Sequence, residues 1–96
     1  MAAPSANNLR SPKAIGERVT LLREIAGLTQ SQFARQIGVS QGTVSAFEKG
    51  SRPPGLKAGH KMCDAFGCTL DYIYRGDPSG LPMRLLTEIN SRRLPD

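Results

Sequence analysis

Thr29-Gln30-Ser31-Gln32-Phe33-Ala34-Arg35-Gln36-Ile37-Gly38-Val39-Ser40-Gln41-Gly42-Thr43-Val44-Ser45-Ala46-Phe47-Glu48-Lys49-Gly50 reads as two short helices joined by a tight turn. Thr29 offers a side-chain oxygen to the orphan N–H groups of a first helical turn. Gln32, three residues on, completes a capping box. Gly38 closes that helix, because the left-handed conformation that ends it costs glycine little. Ser40 opens the second helix and Gly50 stops it. Phe33, Ala34 and Ile37 give the first helix an apolar side, and Val44 and Phe47 do so for the second. Ala34 falls where the second helix must come close, and a large side chain there would push the two apart.

Two helices with this turn between them have the spacing of a helix-turn-helix, which presents its second helix to DNA. The punctuation continues outward. Start signals stand at Ser11-Pro12 and Thr69, and further stops at Gly27, Gly67 and Gly76. The chain therefore predicts five helices, over 12–26, 30–37, 41–49, 56–66 and 70–75, with no sustained strand alternation. Ile15, Val19, Leu22 and Ala26 form a 4-3-4 stripe on the first of these. Met62, Cys63 and Phe66 mark the fourth, and Leu70 and Ile73 the fifth. Arg52-Pro53-Pro54-Gly55 breaks the chain between the third and fourth.

The 96 residues allow one domain and a tail. The net charge of +5 is uneven: residues 11–76 hold nine Lys or Arg against five Asp or Glu, whereas 77–96 hold three of each. A basic globular part either binds a polyanion or simply stays soluble; charge alone leaves both readings open. No apolar run approaches the roughly 18–20 residues that cross a bilayer. Met1 to Arg10 lacks the apolar stretch of a signal peptide and reads as a disordered arm. The expected location is the cytoplasm, where Cys63 and Cys68 stay reduced.

The residues from Leu28 to Gln41, and again Val44-Ser45-Ala46-Phe47-Glu48-Lys49-Gly50, closely resemble the Cro and lambdoid-repressor type of protein, the XRE family. Phe66-Gly67-Cys68-Thr69-Leu70-Asp71-Tyr72-Ile73-Tyr74-Arg75-Gly76 resembles that family's closing helix. The likeness covers residues 12–76, about two thirds of the chain. It implies an all-α, five-helix, lambda-repressor-like domain over 11–76, preceded by the arm 1–10 and followed by a tail over 77–96 with a candidate sixth helix. It also implies a sequence-specific, duplex-DNA-binding transcriptional regulator, a repressor in the main reading, acting as a homodimer.

In such a fold the first turn of the 41–49 helix enters the major groove. Gln41, Gly42, Thr43, Ser45 and Ala46 are then the residues to face base edges. Gln41 is the principal one, since its amide donates and accepts together, matching N7 and N6 of adenine. Thr43 either meets DNA or supports the helix cap. Gly42 and Ala46 depart from relatives that carry long polar side chains there, which shifts weight toward DNA shape or bridging water. Gln30 resembles the family's phosphate-contacting glutamine at a helix N-terminus. Arg35, Lys49 and Arg52 are the other phosphate candidates, with Arg10 and Lys13 reaching from the arm. Arg23 and Glu48 match an arginine and a glutamate that form a structural ion pair in this family.

Other motifs carry less. His60, Cys63 and Cys68 suggest zinc, but a fourth ligand is missing unless Asp64 or another chain provides it, and Cys63 falls on a core position. No metal, cofactor, membrane or small-molecule partner is called for, and no set of residues suggests an enzyme. In the tail, Leu81, Leu85, Leu86 and Ile89 give the segment 82–93 an apolar side, which either packs back on the domain or makes a dimer contact. A rival reading takes the chain as an antitoxin-like or adaptor protein whose main work is to bind a protein partner, with the tail as its only candidate binding segment.

Overall fold

Side-chain oxygens start four of the helices in the computed structural model, which describes residues 6–92. Ser11, Thr29, Ser40 and Thr69 accept from the backbone N–H groups of Ala14, Gln32, Thr43 and Tyr72. Thr29 also donates its own N–H to the Gln32 side chain at 2.9 Å, so the capping box is complete. Among the described residues the elements are α1 (Ala6–Leu9), α2 (Pro12–Ile25), α3 (Gln30–Ile37), α4 (Gln41–Lys49), α5 (Leu56–Phe66), α6 (Leu70–Arg75) and α7 (Met83–Arg92), with no strand. The fold is all-α, as the periodicity implies. No helix among the described residues is long and apolar enough to cross a membrane.

The core joins one side of every helix from α2 to α7. Val19, Leu22, Phe33, Val44, Met62, Tyr72, Ile73, Leu85 and Ile89 are fully buried. Phe33 of α3 stacks on Phe66 of α5 with ring centroids 4.9 Å apart, tying the first helix of the turn motif to the second half of the domain. Helices α2 and α4 meet backbone to backbone. Gly16 of α2 lies against the backbone carbonyls of Phe47 and Glu48, and a Cβ there would sit 2.8 Å from the Glu48 oxygen. Behind α4, the Tyr74 hydroxyl lies 3.0 Å from the Pro54 carbonyl oxygen and 2.7 Å from that of Gly55. Its single proton is shared between two acceptors of the loop that follows α4, which fixes how α5 leaves that loop.

Several expectations need correction. The arm 1–10 is not all disordered: residues 6–9 form the turn α1, while 1–5 lie outside the described residues. The turn is held because Ser11 donates its hydroxyl to the Asn8 carbonyl at 3.0 Å, and Arg18 donates to the Leu9 carbonyl. Arg18 also donates to the carbonyl of Ile73 at 3.0 Å, so one guanidinium joins α1, α2 and α6. Ala26 is exposed at the C-cap of α2 instead of lining the core.

Of the two readings of the tail, packing back on the domain is the one observed. Leu81, Leu85 and Ile89 are buried within the chain's own core and Leu86 is half-buried, so these four do not form a free dimer face. Burial against the domain removes their apolar area from water without a partner. Of the two thiols, Cys68 is buried and Cys63 only half-buried.

Candidate nucleic-acid interface

Positive φ at Gly38, +76°, lets the chain turn sharply between α3 and α4. That turn brings the N-termini of both helices to the same face. Gln30 stands at the start of α3 and Gln41 at the start of α4, and Gln41 Nε2 donates to Gln30 Oε1 at 2.6 Å. Gln30 Nε2 in turn donates to Glu48 Oε1 at 3.0 Å. Glu48 is also held by Arg23, whose Nε and terminal nitrogen donate to its two oxygens at 2.6 and 3.1 Å. A further N–H of Arg23 donates to the Leu28 carbonyl at 2.9 Å. A continuous chain of bonds therefore runs from α2 through the C-terminal half of α4 and the start of α3 to the first residue of α4.

The electrostatics of this chain set hydrogen bonding against burial. Burial alone would raise the Glu48 pKa, but hydrogen bonds from Arg23 and Gln30 and the Arg23 charge outweigh it and leave it below the ordinary value. The hydrogen bond to Glu48 raises the pKa of Arg23. The structure thus brings Arg23 and Glu48 together as an ion pair, and it adds Gln30 to them.

The other base-edge candidates differ in what they offer. Gln41 and Gly42 are exposed, and the space around Gly42 is open, with only Ser40 Oγ within 4 Å of a Cβ placed there. Ser45 and Ala46 are half-buried on the same helix. The Thr43 hydroxyl lies 2.9 Å from Ser40 Oγ, and the Thr43 N–H donates to that same oxygen. Of the two readings of Thr43, its observed bonds serve the cap.

Arg35, Lys49 and Arg52 are exposed, and among the described residues no carboxylate pairs with them. Two lysines missed in the sequence join them. A cleft of about 310 Å³ lies beside α4, with Arg52, Lys57 and Lys61 at its edge and Ile37, Val39, Phe47 and Ala58 behind. Lys57 and Lys61 are four residues apart on α5, where like charges repel by a few tenths of a kcal/mol. That spacing was the available signal. Its meaning depends on α5 packing beside the α3–α4 turn, which no local pattern announces.

His60, Cys63 and Cys68 do not gather into a metal-holding group among the described residues. Burial raises both thiols, Cys68 to about 12, which favours the protonated form of each.

A model of the helix-turn-helix family matches residues 20–73. An uncharacterized HTH-type transcriptional regulator of Methanocaldococcus jannaschii is 39% identical over 57 residues, covering 57% of this chain and 86% of that relative. An uncharacterized HTH-type transcriptional regulator of Bacillus subtilis, YgzD, is 33% identical over 57 residues, with 59% and 86% covered. Among solved structures, a hypothetical transcription factor, NHTF, from Neisseria superimposes with a TM-score of 0.58 at 26% identity, covering 93% of each chain.

Proposed function

Because this chain belongs to the helix-turn-helix family of the XRE type, a DNA-binding regulator of transcription, we propose that it binds one particular duplex sequence and represses from it. In this reading it acts in the cytoplasm as a homodimer on a twofold-symmetric site, with half-sites about 34 Å apart. No catalytic step is part of the reading. The observation that carries it is the exposed amide of Gln41 at the first turn of α4, fixed by Gln30 and flanked by cations that no described carboxylate neutralises. Helix α4 lies in the major groove, and Gln41 reads an adenine there. Gly42, Ser45 and Ala46 present a small, open surface to the neighbouring bases. Gln30, Lys49 and Arg52, with Lys57 and Lys61 beyond them, hold the flanking phosphates, and Arg35 stands as a further phosphate candidate.

The first test is selection of bound duplexes from a random library at about 150 mM salt, where non-specific binding is weak. A single enriched, twofold-symmetric sequence supports site-specific binding as a dimer. No enrichment from folded protein overturns sequence-specific binding.

Given such a site, Gln41→Ala is expected to lose about 1–3 kcal/mol of discrimination at one base pair. Equal weakening on every sequence would remove Gln41 from base reading. The Lys57→Gln/Lys61→Gln double variant is expected to weaken binding to all duplexes alike. It should also lower the slope of log K against log salt by about 2, at about 0.9 per phosphate contact. An unchanged slope would place both lysines away from the DNA.

A further inference from the structure

The bonds joining Gln41 to Glu48 have a direction, and a carboxylate sets it. An ionised carboxylate only accepts hydrogen bonds, whereas a glutamine amide has one accepting and one donating end. Gln30 must therefore turn Nε2 to Glu48, at 3.0 Å. That leaves Gln30 Oε1 facing Gln41, which must answer with its own Nε2, at 2.6 Å. Gln41 is left with its second N–H and with Oε1. The major-groove edge of adenine offers one acceptor, N7, and one donor, the N6 amino group, so this remainder is its complement. With the opposite direction, Oε1 of Gln41 would be taken by Gln30 and both N–H groups would face the groove. Two donors match guanine, whose N7 and O6 both accept.

We propose that Glu48 is a specificity-determining positioning residue: acting through Gln30, its carboxylate orients the Gln41 amide so that adenine is accepted and guanine refused. This rests on the DNA-binding reading above and adds a residue that touches no base. Arg23 supports it, because its two bonds hold both carboxylate oxygens in place from α2. The exposed first turn of the recognition helix is thereby set by a side chain seven positions further along the same helix, one that is itself only 9% exposed.

The test compares binding of the wild type, Glu48→Gln and Gln30→Met to duplexes of the selected site that differ only at the base pair read by Gln41. The neutral amide that replaces the carboxylate in Glu48→Gln can accept or donate, so both directions become available. This variant is expected to reduce the preference for adenine over guanine about tenfold, with preferences at the other positions kept. Gln30→Met leaves the Arg23–Glu48 pair intact but breaks the relay, and it should lose the same preference at the same pair. Denaturation curves establish that each variant is folded. Should Glu48→Gln fail to fold, the double variant Arg23→Met/Glu48→Leu, which removes the carboxylate without stranding the guanidinium, takes its place with the same expected loss. Folded variants that still prefer adenine as strongly as the wild type overturn the proposal. A wild type with no preference at any position overturns the sequence-specific reading itself. A wild type whose preference survives Gln41→Ala overturns the role of Gln41 and the relay with it.

Discussion

Glu48→Ala is expected to cost about 3 kcal/mol of folding stability and to weaken DNA binding as well. Truncation strands the Arg23 guanidinium, which keeps only the Leu28 carbonyl. The two side chains are 17% and 9% exposed, so some water reaches the orphaned charge and the cost falls at the lower end of the range of about 3–5 kcal/mol for breaking a buried pair. The pH dependence identifies the cause. The Glu48 pKa is lower in the fold than in the unfolded chain, where a glutamate titrates near about 4.3. The charged contribution is therefore complete above that unfolded value and is lost as pH falls through the lower, folded one. Urea denaturation of wild type and variant should show a wide gap at neutral pH that narrows in acid. A gap of the same size at both would assign the loss to packing. Replacing both partners by apolar residues, Arg23→Met with Glu48→Leu, should recover much of the stability, because no charge is then left unpaired.

The parts of this fold that were legible in the sequence are those written in local hydrogen bonds. Thr29 with Gln32, Ser40, Ser11 and Thr69 each satisfy a backbone donor within three residues. The helix starts could therefore be read without any tertiary knowledge. Gly38 and Gly50 announced the stops for the same reason. The features that escaped depend on partners far along the chain. Amphipathic spacing in the tail showed that Leu81, Leu85 and Ile89 need an apolar partner, but not that the partner is their own domain. Residues 6–9 showed no periodicity at all, and their order comes from Arg18 and Ser11 outside the segment. At the candidate interface, Gln41 and Gln30 could each be named from position, and Arg23 with Glu48 from resemblance. That all four form one connected chain follows only once α2, α3 and α4 are placed together. Lys57 and Lys61 are the same case, since four-residue spacing gives a face but not what the face looks toward.

Gly16 shows the gap most sharply, and Gly16→Ala is expected to destabilise the protein by about 2 kcal/mol, the upper end of an overpacking cost less the gain in helix propensity. From the sequence alone the substitution looks helpful. Gly16 lies inside a helix of fourteen residues, where alanine is preferred by about 1 kcal/mol. The new methyl group, however, would sit 2.8 Å from the Glu48 carbonyl oxygen and 3.1 Å from its carbon, with the Phe47 oxygen closer still. These are backbone atoms of α4, so they cannot swing aside as the end of a side chain would. The helices must separate, and overpacking of this kind costs about 1–3 kcal/mol or more. Nearby, a Cβ at Gly50 would stand 2.7 Å from the Lys13 Cα, so α2 and the end of α4 are already in close contact at a second point and have little room to pivot. Steric cost therefore exceeds helix propensity. Separation of α2 from α4 would also pull Arg23 away from Glu48 and slacken the bonds that reach Gln41. Affinity for the selected duplex should then fall further than the loss of folded protein explains, when both proteins are compared under conditions that keep them fully folded. Urea denaturation gives the stability and duplex titration the affinity. An alanine variant as stable as the wild type, or more so, would mean that the α2–α4 approach is slack and that the helix's own preference governs this position.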